Sequence, residues 1–188
     1  PETGPGVEAT AVPFVVDDGL TTLRAHVARA NRHWRSIGTG VEALFIVPGV
    51  DAYVSPRWYP SKADDPKVVP TWTYEVVHLR GPIRVVDDAE AKLDIVRALT
   101  EHHEAATVEP GGTAWAVSDA PDDFIARQLR AIVGLELTIE SIEATGKLSQ
   151  NRAEPDRLGV IAGLAGSGDP TARATGERRA TSRSAAAG

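Results

Sequence analysis

The residues best suited to binding a small molecule lie between Tyr53 and Gly81, in the stretch YVSPRWYPSKADDPKVVPTWTYEVVHLRG. This stretch contains two of the four Trp, all three Tyr and two lysines. Aromatic rings with polar edges next to cations suit a flat ligand that carries an anionic group. A structural role is the alternative, because aromatic residues are common in strands, where Trp72 and Tyr74 would only fill a core.

A second group of polar residues has the chemistry of an anion site. His26, Arg29 and Asn31 fall where a predicted strand gives way to a short helix or turn. Backbone N–H groups at a helix start and a guanidinium are suitable partners for a phosphate. Further donors follow along the chain, namely Lys62, Lys147, Gln150, Asn151 and Arg152. Each alone is typical of a solvated surface, so it is their occurrence together with the aromatic stretch that favours a ligand site.

Several kinds of catalytic site are excluded or unsupported. The chain has no Cys, which excludes disulfides, thiolate catalysis and Cys-ligated metals. It contains no P-loop, no G-x-G-x-x-G fingerprint and no G-x-S-x-G elbow. The cluster Glu101–Glu104 (EHHE) places its two His next to each other, where helical side chains point apart. We therefore predict neither a metal site nor a catalytic residue.

Composition limits the partners. A chain of 188 residues with 42% apolar and 24% charged residues is typical of one folded globular domain. The net charge of −6 gives no support to DNA binding through phosphates, although DNA stays open as a partner. No apolar run approaches the ~20 residues of a membrane span, so we expect no membrane partner. Without a recognisable signal peptide, the cytoplasm is the expected location.

The elements predicted by periodicity are mostly strands, followed by helices. Turn signals at Pro48-Gly49 and Gly81-Pro82 predict a hairpin and a bend, and Gly134 is expected just after a helix. The predicted strands are Ala11–Val16, Leu23–Val27, Ala43–Val47, Ala52–Ser55, Val68–Leu79, Pro82–Val86 and Leu135–Ile139, and the helices run from Asp87 to Glu104, from Pro121 to Val133 and from Pro155 to Leu164. This order does not alternate as in βαβ units and favours an α+β fold, a small antiparallel barrel with peripheral helices.

The end of the chain has a different composition. Residues 165–188 contain no Val, Ile, Leu or aromatic residue, and their four Arg exceed their two acidic residues. Such a segment buries too little surface to offset its ordering entropy. We predict a disordered tail over 165–188 and one folded domain over 1–164.

Five blocks of sequence resemble the PaiB family, whose members are described as FMN-binding transcriptional regulators. In order they are AHVARANRHW (25–34), AYVSPRWYPSK (52–62), VVPTWTYEVVHLRG (68–81), AVSDAPDDFIARQLRAIVGLE (116–136) and KLSQNR (147–152). The resemblance implies a flavin-type split β-barrel, usually completed as a homodimer with ligand sites at the subunit interface. The family's N-terminal helix and first strand have no counterpart here, and we expect the given sequence to lack them.

The resemblance also implies roles for individual residues. The phosphate of FMN would be bound by His26, Arg29 and Asn31. The flavin ring would be contacted by Pro70, Thr71, Trp72 and Thr73, with Lys62 close by. The site would be completed from elsewhere on the dimer by the donors Lys147, Gln150 and Arg152. Thr73 departs from the family pattern, in which Asn is usual at this position.

Three functions remain open at this point. The first is an FMN-binding regulator, which the resemblance favours. The second is an oxidoreductase that depends on a flavin, a deazaflavin or haem, because in such proteins the cofactor carries the chemistry and no catalytic side chain need appear. The third is an interaction protein without a ligand. An absorption spectrum would separate flavin, haem and neither.

Overall fold

A computed structural model describes residues 7–109 and 112–186, with side chains described as far as Thr181. The chain divides into two compact units. Unit 1 comprises Pro1–Leu44 and Arg80–Ser141, and unit 2 comprises Phe45–Leu79 and Ile142–Gly188. Strands β3 (Glu42–Val54) and β4 (Thr71–Val86) each contribute residues to both units.

The remaining elements confirm the predicted α+β class. The strands pair in the order β1-β2-β5-β4-β3, and β6 also pairs with β4. The other strands are β1 (Phe14–Val16), β2 (Thr22–Ala28), β5 (Ile132–Thr138) and β6 (Ser141–Lys147), and the helices are α1 (Ala89–Glu104), α2 (Asp122–Arg130), α3 (Glu154–Ala165) and α4 (Pro170–Ala186). Short 3-10 helices occupy Arg32–Ser36, Pro56–Trp58, Pro60–Ala63 and Val117–Asp119. Within the described residues, none of the helices combines the length and apolar character needed to cross a membrane.

One face of the unit 1 sheet forms a buried apolar core. In the antiparallel pair of β2 and β5, Leu23 lies opposite Leu137 and Val27 opposite Val133. Ala25 between them is also fully buried. Successive strand residues point to opposite faces, so the alternation in Leu23–Val27 correctly predicted this buried face.

Helix α1 covers the opposite face of the same sheet. Ile95 and Leu99 pack on Val86 at the end of β4. Gly134 permits this approach, because a Cβ there would lie 2.8 Å from Ile95 Cδ1. The expectation that Gly134 ends a helix is wrong, since the residue lies inside β5. Glycine is therefore needed at position 134 to let α1 pack on the strand, and not to form a turn.

Unit 2 corrects the predicted hairpin. Pro48-Gly49 does not turn the chain, because β3 runs continuously from Glu42 to Val54. Pairing with a neighbouring strand has overridden the turn signal there, as tertiary context often does. At Gly81-Pro82 the two predicted strands are one, because β4 runs through both residues.

The core of unit 2 lies between β3 and helices α3 and α4. Its buried residues are Ala52, Val54, Tyr59, Val160, Leu164 and Ala172, and Trp58 and Val68 pack against them. Two glycines of α3 lie against Trp58. A Cβ on Gly159 would lie 2.0 Å from the Trp58 carbonyl oxygen, and one on Gly163 would lie 2.3 Å from Trp58 Cδ2. The helix can therefore pack this closely only with glycine at both positions.

The predicted disordered tail is wrong over Pro170–Ala186, which forms α4. A stripe at helical spacing is buried, formed by Ala172, Thr175, Gly176 and Arg179. Thr175 Oγ1 donates to the Asp51 carbonyl oxygen at 2.9 Å. Small side chains let α4 approach its neighbours, and polar contacts replace the apolar burial that the composition lacks.

We predict that Gly163→Ala destabilises the protein, although alanine is ordinarily the better helix former. The added methyl group would overlap the Trp58 ring, and overpacking of this kind costs about 1–3 kcal/mol. Urea denaturation of both proteins measures the effect. Gly168→Ala is the control, because a Cβ there has no neighbour within 4 Å. A loss of stability in the control equal to that in Gly163→Ala would contradict the packing explanation.

Candidate functional site

The predicted ligand residues are divided between the two units. Unit 1 holds the three residues assigned to the phosphate, His26, Arg29 and Asn31. Unit 2 holds the eight others, which are Lys62, Pro70, Thr71, Trp72, Thr73, Lys147, Gln150 and Arg152. Each group is therefore judged on its own surroundings.

Arg29 is already paired within unit 1. Its Nη1 and Nη2 atoms both donate hydrogen bonds to the carboxylate of Asp87, and Nη1 lies 3.1 Å from Oδ2. Its Nε donates to the Arg130 carbonyl oxygen at 2.8 Å, and Nη2 also donates to that of Ile132 at 3.0 Å. A guanidinium has five N–H donors, and these four bonds leave one. Arg29 thus joins the end of α2 to Asp87, two residues before α1.

The Asp87 carboxylate is held ionised by two cations. Hydrogen bonds from Arg29, and then from Lys92, lower the pKa of Asp87 to about 2. Lys92 Nζ lies 2.9 Å from Asp87 Oδ1, and the Lys92 side chain is buried. A buried ammonium requires a partner, so Asp87 serves both cations at once.

The other two unit 1 residues also have local roles. Asn31 caps the 3-10 helix Arg32–Ser36, since its Oδ1 accepts from the His33 N–H at 2.9 Å. His26 lies half-buried on β2, opposite Gly134. Burial lowers the pKa of His26, which favours a neutral imidazole at neutral pH. Its buried Nδ1 has no partner within the part of the chain that the structure describes.

In unit 2, the segment expected to line a flavin ring faces two ways. Alternation along β4 points Trp72 to one face and Thr71 and Thr73 to the other. Trp72 is half-exposed, its Nε1 donates to Asp51 Oδ1 at 3.0 Å, and its ring meets that of Tyr53 edge-on at 6.5 Å. Thr73 is fully buried.

Thr73 connects two parts of unit 2. Its hydroxyl donates to the Lys147 carbonyl oxygen at 2.6 Å and accepts from Arg179 Nη1 at 2.9 Å. The sequence analysis missed Arg179 because it lies in the segment assigned as a disordered tail. The available signal was its position seven residues after Ala172 and four after Thr175, which puts the three residues on one helix face.

The loop after β6 carries Arg152 onto an aromatic ring. Gln150 shapes this loop, because its Oε1 accepts from the Leu148 N–H and its Nε2 donates to the Gly146 carbonyl oxygen, both at 2.8 Å. Ser149 adopts the left-handed conformation, with φ 57°. The Arg152 guanidinium carbon then lies 4.7 Å from the Tyr59 ring centroid. Gln150 thus has a positioning role, whereas Lys62 and Pro70 are exposed.

These contacts define an arginine cluster, comprising Tyr59, Thr73, Arg152, Arg157 and Arg179. Burial is the main cause that lowers the pKa of Arg179, Arg157 lowers it further, and Tyr59 raises it. The Tyr59 hydroxyl and Arg179 Nε are both buried without a partner among the described residues. The cluster therefore offers unused hydrogen-bond donors and positive charge.

Comparison with known proteins identifies the family. Residues 2–141 match a family model described as "Putative FMN-binding domain". The Bacillus subtilis protein named protease synthase and sporulation protein PAI 2 is 31% identical over 173 residues, which cover 90% of this chain and 78% of that protein. The chain belongs to this PaiB-type family. The resemblance seen in the five sequence blocks is confirmed.

Other relatives extend the comparison. An uncharacterised protein of Emericella nidulans is 28% identical over 190 residues, covering 85% of this chain and 76% of that protein. The solved structure of the flavocytochrome Anf3 from Azotobacter vinelandii matches with a TM-score of 0.50 at 14% identity, over 77% of this chain and 58% of that one. The chain thus spans less than two thirds of the flavocytochrome's length. This likeness confirms the predicted split-barrel fold class.

The pairing of Asp87 predicts a pH dependence of stability. The folded-state pKa of Asp87, about 2, lies below the ordinary value, so the carboxylate's contribution is complete at neutral pH and is lost as the pH falls towards about 2. Asp87→Asn should lower the melting temperature at pH 7, and this difference from the natural protein should shrink below about pH 4. Thermal melts across this range provide the measurement.

The matched control is Asp94→Asn. Asp94 is exposed and lies 3.6 Å from Arg97 in an ion pair along one helix, a type of contact that contributes little. We expect a smaller change at pH 7 for this control. A difference between Asp87→Asn and the natural protein that stays constant down to about pH 2 would contradict the pairing described for Asp87.

Proposed function

We propose that this protein binds FMN and acts as a regulatory flavoprotein of the PaiB type. The observation that carries the proposal is the family match, which spans residues 2–141 and includes the whole aromatic stretch from Tyr53 to Gly81. FMN, when bound, supplies reversible electron transfer, while the protein binds and orients it.

The residues of unit 2 fit such a ligand better than those of unit 1. FMN combines a flat aromatic ring with a phosphate, and unit 2 offers both the half-exposed rings of Tyr53 and Trp72 and the unpaired donors of the arginine cluster. In unit 1, Arg29 is committed to Asp87 and Asn31 to a helix cap. We therefore assign the FMN contacts to unit 2.

The regulatory part of the proposal rests on the similarity to PAI 2, whose name links that protein to protease synthesis and sporulation. A net charge of −6 does not favour a surface that grips DNA phosphates. We propose that regulation is indirect and acts through a protein partner that responds to bound FMN.

A homodimer is part of the same proposal. The described part of unit 2 exposes six large apolar side chains to solvent, and such residues are typical of surfaces that another subunit covers. They are Ile46, Tyr53, Val69, Trp72, Ile142 and Leu158, each between 42% and 67% exposed. Sedimentation equilibrium measures the oligomeric state directly, and a monomer at all accessible concentrations would overturn the proposed homodimer.

FMN binding is tested by titrating FMN with the protein and following flavin fluorescence. We expect saturable quenching, because a bound ring stacks on aromatic side chains. Trp72→Ala should weaken FMN binding roughly three- to tenfold, the loss expected for one aromatic contact.

The matched control is Trp115→Ala, since Trp115 is exposed to a similar extent but lies in unit 1. Binding should be unchanged in this variant. Absence of quenching at saturating protein would overturn the proposal. Steady turnover of a reduced nicotinamide by the FMN-loaded protein would instead favour an oxidoreductase over a regulator.

A further inference from the structure

Arg179 is a buried cation without an anion. Its side chain is only 5% exposed, and Nη1 donates to the neutral hydroxyl of Thr73. Over the described ranges 7–109 and 112–181, no carboxylate pairs with it, and its Nε has no partner. An unpaired buried charge is costly, so an arginine in this position calls for an anion that satisfies it.

A second buried donor without a partner lies on a different element. Tyr59 is 3% exposed, and its hydroxyl has no partner among the described residues. The Arg152 guanidinium covers its ring at 4.7 Å. Tyr59 belongs to the same buried cluster as Ala172, which shares the buried stripe of α4 with Arg179. Burial lowers the pKa of Arg179 and Tyr59 raises it, in agreement with this placement.

Positive charge accumulates around these two donors. Arg152 and Arg157 are half-buried, and neither forms an ion pair within the described part of the chain. The carboxylate next to Arg157 in the sequence is that of Asp156, which is occupied elsewhere. Its oxygens accept from the Ser61 N–H at 3.0 Å and the Ser61 hydroxyl at 2.7 Å. Among the described residues, none of the ion pairs includes a guanidinium of this cluster.

We propose that the arginine cluster is a binding site for a phosphate group. Arg179, Arg152 and Arg157 would supply charge-assisted N–H donors, and the Tyr59 hydroxyl a further donor. Guanidinium forks match the oxygens of a phosphate, whereas they cannot satisfy one another. Thr73 is a positioning residue, because its hydroxyl accepts from Arg179 and fixes the guanidinium.

Two sources could present this phosphate, the phosphate ester of FMN and free inorganic phosphate. The inference rests on the proposed function only where FMN is the source. Three of the arginine cluster residues, Arg152, Arg157 and Arg179, lie beyond residues 2–141 and so outside the family match. The site thus gives a function to α3 and α4 that the family match does not.

The experiment compares FMN with riboflavin, which has the same ring and no phosphate, in chloride buffer. Flavin fluorescence gives both affinities, and inorganic phosphate is then added as competitor. We expect FMN to bind at least about tenfold more tightly than riboflavin, as charge-assisted hydrogen bonds predict. Phosphate should displace FMN and leave riboflavin bound. Phosphorus NMR line broadening tests inorganic phosphate without any flavin.

Arg179→Met is the main variant, because it keeps an unbranched side chain that can stay buried and removes the charge. It should reduce the preference for FMN over riboflavin, since one of the phosphate's partners is lost. It should not lower the melting temperature, since an unpaired buried charge is removed. Arg178→Gln is the matched control on the same helix, where Arg178 is exposed and bonds Glu75 at 3.1 Å. If Arg179→Met does not fold, the half-buried Arg152→Gln replaces it.

The outcomes separate this site from flavin binding. Equal affinities for FMN and riboflavin in the natural protein would overturn the phosphate site and leave the FMN proposal standing. Broadening of the phosphate signal that is lost in Arg179→Met, without binding of either flavin, would support the site and overturn the FMN proposal. A preference for FMN that is undiminished in Arg179→Met would show that Arg179 does not contact the phosphate, and would overturn the assignment.

Discussion

The site proposed in unit 2 depends on one buried contact, the hydrogen bond from the Arg179 guanidinium to the Thr73 hydroxyl. It ties α4 to β4, and the same hydroxyl reaches the Lys147 carbonyl oxygen where β6 ends. A hydroxyl cannot compensate a buried charge, so the contact positions the arginine and leaves its charge unsatisfied. In unit 1, Arg29 has the opposite surroundings, because Asp87 neutralises it. One arginine is thus suited to holding structure, and the other to holding a ligand.

The fold was predictable wherever burial of one face of an element produces a periodic pattern of apolar residues in the sequence. The alternation in Leu23–Val27 arises because only one face of the strand meets the core. Strand β6 leaves no such signal, because all seven of its residues are exposed. Helix α4 buries small residues, so counting large apolar side chains assigned it to a disordered tail. Pro48-Gly49 resembles a turn, yet strand pairing keeps it extended.

The site was predictable in part, for reasons of distance along the chain. Composition and resemblance directed attention to Thr73 and Arg152, which belong to the arginine cluster. They could not show that Arg29 is paired with Asp87, which lies 58 residues later in the chain. Nor could they show that Arg179, 106 residues after Thr73, would lie beside it. Partners of a charge are set by tertiary contacts, so sequence alone indicates which residues could bind an anion and not which are free to do so.

The most direct test of FMN binding is the absorption spectrum of the protein as purified from cells, and again after equilibration with excess FMN and gel filtration. A protein that binds FMN is expected to carry the visible flavin bands in the second sample, at close to one flavin per chain. A spectrum of haem, or a protein that remains colourless after exposure to FMN, would contradict the proposed function.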